Sequence, residues 1–138
     1  MTYLAMTRSK QFKAAVVSGG IANLRCNARD SKYMRSLYQK AMGSYDSPEF
    51  NELCESRSVV NFPEKLPDST PLLLLHGTSD ERVSPKDSLE LSDKLVERNY
   101  LFRLILFEKG DHFLKSHRKE VDVIRRDWFK KYLKNNGE

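Results

Sequence analysis

Residues 71–83 read PLLLLHGTSDERV. The four leucines at 72–75, bounded by Pro71 and Gly77, predict a short strand buried on both faces. Asp80 then falls on the loop just past the carboxyl end of that strand, where open α/β sheets place their chemistry. Further on, LFRLILF at 101–107 repeats the apolar run and leads into Lys109, Gly110, Asp111 and His112. An acid and then a histidine thus follow two successive buried strands.

Outward from this stretch, the chain alternates helical and strand patterns. Residues 1–9 have helical periodicity, with Met1, Leu4 and Ala5 on one face and Tyr3 and Met6 beside them. No capping residue precedes them, so the chain reads as entered in mid-helix. Residues 13–17, KAAVV, predict a short buried strand ending at the turn Ser18-Gly19-Gly20. Residues 21–30 read as loop. Residues 31–42 read as a helix stopped by Gly43, with Tyr33, Leu37 and Ala41 at four-residue spacing. Ser47-Pro48-Glu49 opens another helix, whose apolar face is Phe50, Leu53 and Cys54. Residues 57–70 carry Pro63 and Pro67 and read as loop. After the leucine strand, Ser84-Pro85-Lys86-Asp87 has the cap, proline and acid of a helix start. Leu91 and Leu95 share that helix's inner face, with Leu89 and Val96 beside it, and Asn99 ends it. A last amphipathic helix is expected over 117–134, striped by Val121, Ile124, Trp128 and Tyr132, with Phe129 and Leu133 alongside. Strands separated by helices argue a parallel sheet in an α/β protein.

The totals narrow the function classes. The 138 residues suit one domain, and 24 basic against 19 acidic residues give a net charge of +5. That charge is spread along the chain, which favours a solvated surface over a nucleic-acid face. No apolar run approaches the roughly 18 residues of a bilayer span, and the N-terminus has no signal pattern. Cys26 and Cys54 fit no metal or redox spacing. Two reduced thiols in a cytoplasmic protein is the reading preferred, with a single disulfide left open. No cofactor or metal is indicated. Paired as His76 with Asp80, or Asp111 with His112, the candidate ligands lack the third and fourth that zinc requires. Gly19-Gly20 has no phosphate-loop spacing around it. His76 reads as a packed, hydrogen-bonded core histidine, His117 as a surface one and Trp128 as core. Arg57 and Arg82 read as partners of loop carboxylates, Ser79 and Ser84 as turn and cap.

Asp80 and His112 gain meaning as a pair. Both follow parallel strands at one edge of the sheet, so the fold would bring them together. A buried carboxylate on one imidazole nitrogen fixes the tautomer and stabilises the imidazolium formed when the other nitrogen takes a proton. That is the acid–base arm of a nucleophilic triad. On α/β-hydrolase sheets the chain order is nucleophile, acid, histidine.

At these residues the sequence resembles the C-terminal half of the peptidase domain of the prolyl oligopeptidase family, within the α/β-hydrolase fold. The resemblance is carried by QFKAAVVSGG, by RSVVNFPEKLPDSTPLLLLHGTSDERVSP, by LFRLILFEKGDHF and by the closing DWFKKYL. Residues 32–50 are the least distinctive part. The resemblance implies a partial hydrolase sheet: the last three parallel strands, with helices on both sides in three α/β/α layers. It implies that Asp80 orients the base and that His112 acts as general base and then general acid. The family's serine lies in a G-x-S-x-G-G elbow opening the helix whose middle resembles MTYLAMT. The serine is therefore expected a few residues before Met1, outside these 138 residues, with the oxyanion donors. Loss of a nucleophile from such a unit costs on the order of 10⁶ in turnover, so the isolated chain is expected to be inactive. Ser18 lacks the glycine that would precede a nucleophile. The substrate implied for the full domain is a peptide or an ester. The strand at 13–17 would normally pair with a strand absent here, so its edge is expected to be covered by a second copy, a neighbouring molecule or the missing half. Two other readings stay open: a non-catalytic binding or assembly module, and, disfavoured by the absent glycine loop, a phosphate-binding α/β domain.

Overall fold

A computed structural model describes residues 1–133. Three strands, β1 (Ala15–Ser18), β2 (Leu72–Gly77) and β3 (Phe102–Phe107), form a parallel sheet in the order β1-β2-β3. The leucine run is the central strand. Leu72 stands opposite both Ala15 and Phe102, and Leu75 opposite both Ser18 and Ile105. Every residue of β2 is buried, because helices cover both faces. Its alternating side chains feed two separate cores. Leu72 and Leu74 pack with Met6, Val17, Leu91 and Leu95, whereas Leu73 and Leu75 pack with Phe107, Val121 and Trp128. The layers are therefore α1 (Thr2–Arg8) and α5 (Lys86–Glu97) on one side and α6 (Arg118–Leu133) on the other. The chain is a partial α/β three-layer fold: the parallel sheet is what its strand and helix pattern predicts, and the partial sheet in three layers is what the family resemblance implies.

β3 is less buried than β2, since it lies at the sheet's outer edge. The expected cores of α5 and α6 hold: Leu91, Leu95, Val121 and Trp128 are buried, and Asn99 ends α5 with φ 53°. Leu89, Val96 and Leu133 are exposed. α6 begins at Arg118, after a 3-10 turn over Lys115–His117, and the expected end at Lys134 lies outside the described residues.

Several local expectations are corrected. Residues 24–30, expected as loop, form the helix α2 (Leu24–Asp30), capped by Asn23, whose side chain accepts from the Cys26 amide at 3.1 Å. In α1 it is Tyr3 and Met6 that are buried, while Met1 and Ala5 face outward, because the 3/6 face is the one packed under β1 and β2. In α3 (Lys32–Met42), capped by Ser31, Tyr33 and Leu37 are exposed. Met42 instead packs with Ala28, Phe50 and Cys54, joining α3 to α2 and to α4 (Pro48–Arg57). The stretch after α4 contains two 3-10 turns, Val59–Asn61 and Pro63–Lys65, and buries Val59, Val60 and Leu66.

Candidate active site

The acid and base loops leave adjacent parallel strands at the same end. Past β2, the Asp80 amide donates to Gly77 O at 3.3 Å, closing a tight turn. Past β3, Lys109 takes a left-handed φ of 54° and the Gly110 amide donates to Phe107 O at 3.1 Å. The two loops are then sewn together. Thr78 N donates to Phe107 O at 2.9 Å, Ser79 N to Gly110 O at 3.0 Å, and Lys109 N to Thr78 Oγ1 at 2.8 Å. The backbones meet where there is no side chain to hold them apart: a Cβ on Gly77 would lie 2.1 Å from Gly110 O.

This seam brings Asp80 and His112 together. Asp80 Oδ2 accepts from His112 Nδ1 at 2.8 Å. Asp80 Oδ1 accepts from the amides of Arg82 and Val83, each at 2.9 Å, which is the Asx geometry that lets a carboxylate organise its own loop. The Asp80 side chain is wholly shielded from solvent, while that of His112 is 26% exposed. With Nδ1 donating to the carboxylate, Nε2 is left as the basic nitrogen, and it makes no hydrogen bond to the described residues. A buried carboxylate, an oriented imidazole and an outward-facing lone pair can accept and return a proton.

The loop after β1 closes the third side. Gly19, with φ 55°, lies against both groups: a Cβ there would stand 3.0 Å from His112 Nδ1 and 3.2 Å from Asp80 Oδ2. Sequence reading treats Gly19 only as part of a turn; its contact with the pair depends on how far apart β1 and β3 lie, which local pattern does not encode. Asn27, on the overlooked α2, donates to Arg82 O at 2.9 Å and accepts from the Tyr38 hydroxyl at 2.6 Å, bracing the acid loop from behind. Asp87 also departs from its expected role. α5 starts at Lys86, with Pro85 rather than Ser84 at its cap and no capping side chain; Ser84 Oγ accepts from Lys86 N, and the Asp87 carboxylate reaches across to the amides of Ala22 and Asn23, at 2.9 and 3.2 Å. Burial pushes its carboxyl up from 3.8 to about 6, against the pull of those two amides.

The remaining candidates sort as follows. Ser18 ends β1, paired in the ladder with Leu75. His117 is not simply a surface residue: Nε2 donates to Glu108 O at 2.9 Å and its ring packs 5.1 Å from Phe107. Arg82 makes no ion pair among the described residues; its guanidinium lies 4.8 Å from the centre of the Phe113 ring. Arg57 likewise makes no ion pair among the described residues and lines a cavity of about 550 Å³ beside Ser18 and Tyr3. Trp128 is buried, as expected. Cys26 and Cys54 are free thiols, both pushed up by burial. Among the described residues no group of three His, Cys, Asp or Glu side chains is arranged to hold a metal ion. No helix there is long and apolar enough to cross a membrane.

The profile of the prolyl oligopeptidase family matches residues 1–136. The chain belongs to that family. Solved structures of family peptidases superpose on nearly all of it. An acylaminoacyl peptidase from Pyrococcus horikoshii matches with a TM-score of 0.84 and 25% identity over 99% of this chain. An acylaminoacyl peptidase in complex with Z-Gly-Gly-Phe-chloromethyl ketone matches with a TM-score of 0.84 and 26% identity over 100%. A puromycin-hydrolyzing peptidase from Mycobacterium tuberculosis shares the fold, with a TM-score of 0.78 at 24% identity over 96%. The chain spans only 23%, 23% and 20% of the length of those three proteins. No curated protein sequence matches it.

Proposed function

We propose that Asp80 and His112 are the acid and the histidine of a Ser-Asp-His triad in a serine-type peptidase or esterase, and that the chain is the C-terminal part of a larger hydrolase domain. One observation carries this reading: the 2.8 Å bond between a buried Asp80 and a partly exposed His112 whose second nitrogen has no hydrogen-bond partner among the described residues. His112 Nε2 takes the proton of an attacking serine hydroxyl and then returns it to the leaving amine or alcohol. Asp80 holds the tautomer and stabilises the imidazolium. The 138 residues contain no G-x-S-x-G elbow, so the nucleophile and its oxyanion donors come from outside them and the chain alone does not hydrolyse. Family membership and likeness to acylaminoacyl peptidases support a peptide or ester substrate. The free thiols fit a reducing, cytoplasmic setting.

Labelling with a serine-directed fluorophosphonate tests this. No labelling is expected of the 138-residue chain, and strong labelling overturns the proposal. Joined to an upstream segment bearing an in-frame elbow, the chain gains labelling and turnover. There His112→Ala lowers kcat by on the order of 10⁴ or more. Unchanged turnover in that variant leaves the second reading, an assembly module. What favours that reading is the outer edge of β1. It pairs with no strand among the described residues and borders an apolar hollow of about 380 Å³ lined by Met1, Ala5, Phe12 and Phe129. Either way, that edge is proposed to take up a strand from a second copy or from the rest of the domain.

A further inference from the structure

His76 is completely buried at the end of β2, and its contacts fix where its hydrogen sits. Nε2 is 2.9 Å from Val83 O, a carbonyl that can only accept, so Nε2 carries the hydrogen. Nδ1 then offers a lone pair, and the Ser88 hydroxyl, 2.7 Å away, donates to it. The same Nε2 lies 3.3 Å from Asp80 Oδ2, the oxygen already held by His112. Two imidazole rings therefore meet one carboxylate oxygen, His112 through a hydrogen bond and His76 through the edge of a ring whose N–H is aimed at Val83 O.

We propose that His76 is a positioning residue for the Asp80–His112 pair: its Nε2–H, locked in that tautomer by Ser88 and donated to Val83 O, places the positive edge of the ring 3.3 Å from Asp80 Oδ2 and keeps Oδ2 turned toward His112. The proposal rests on reading that pair as the acid–base arm of the hydrolase. A carboxylate has about four lone-pair sites. Here Oδ1 takes the Arg82 and Val83 amides and Oδ2 takes His112, and the His76 Nε2–H edge lies 3.3 Å from Oδ2 on its remaining side, in a side chain with no access to water. The planar carboxylate turns as one unit, so the amides on Oδ1 and the imidazole of His112 on Oδ2 set its plane together. The His76 N–H edge, anchored in the core, adds a positive partial charge beside Oδ2 that favours this orientation. The same imidazole holds the carbonyl of Val83, whose amide grips Oδ1, so the acid loop and its carboxylate are fixed by one ring.

Nitrogen-15 NMR of the 138-residue chain tests this. In the unaltered chain the His76 ring should show the Nε2–H tautomer with slow exchange; an Nδ1–H tautomer overturns the proposal. Asp80→Asn should move both the His112 Nδ1–H and the His76 Nε2–H resonances. A His76 signal that stays put means the ring serves only Val83 and Ser88, and overturns it. His76→Gln keeps an N–H donor at similar reach and should preserve protection of the His112 Nδ1–H against exchange. His76→Leu should lower that protection about tenfold, the equivalent of one hydrogen bond of about 1.4 kcal/mol. Equal protection in the two variants overturns the proposal. If neither variant folds, the unaltered chain and Asp80→Asn decide between the outcomes. None of these readouts depends on turnover, so failure here leaves the hydrolase reading standing, to be judged by labelling and kcat.

Discussion

Gly19 touches the acid and the imidazole at once, and it does so with a backbone that favours glycine. A methyl group there meets His112 Nδ1 at 3.0 Å and must also sit at φ 55°. Gly19→Ala should therefore push the imidazole off Asp80. The expected outcome is loss of the low-field His112 Nδ1–H resonance, with a stability cost of about 1–2 kcal/mol in urea titration. Asp87 gives a prediction of a different kind. Its carboxyl lies near 3.8 when unfolded and is pushed up to about 6 when folded, so between those values the folded state holds the extra proton. Its contribution is full below the lower value and is lost as pH rises through the upper one. Asp30 and Glu90 nearby add to the penalty on its charge. Asp87→Asn should accordingly gain on the unaltered chain as pH rises from about 4 to about 6. Above that the advantage should level off at about 1–3 kcal/mol, as read by denaturant unfolding at a series of pH values.

β2 carries the sheet. Leu74 is fully buried between two flanking strands, and Leu74→Ala should cost about 2–5 kcal/mol, measured as a lowered urea midpoint with an unchanged slope. Such a strand is legible in sequence because the four leucines are bounded by Pro71 and Gly77, a run too short for a buried helix. The same holds for α5 and α6, where period and burial agree at Leu91, Leu95, Val121 and Trp128. α2 was not legible. LRCNARD has no apolar stripe, and its helix draws on the Asn23 cap, on Ala28 packed against Phe50 and Cys54, and on Asn27 bound to Arg82 O. α3 misled in the opposite sense: Tyr33 and Leu37 share a side that faces solvent. The Asp80–His112 pairing could be anticipated because both follow parallel strands. The contacts of Gly19, Asn27 and Asp87 could not, since each spans elements distant in sequence.

At the scale of the molecule, the sheet has two unlike edges. β1 and β3 each pair on one side only among the described residues, and it is the open side of β1 that borders an apolar hollow. The chain is therefore expected to associate as its concentration rises. Light scattering behind size exclusion is the check, and a well-folded monomer at every concentration would contradict it. A net charge of +5 on 138 residues is too small to oppose such pairing strongly.

The glycine seam has one more consequence. Because Gly77 and Gly110 let two main chains rest directly on each other, the spacing between Asp80 and His112 is gauged by peptide atoms rather than by neighbouring side chains. Peptide atoms are the one part of a protein that substitution leaves alone. A ruler made from them keeps its length while the surface around it is rewritten, which accords with a fold held at a TM-score of 0.84 although only 25% of positions agree. Variation should be tolerated around the two loops and refused at the two glycines.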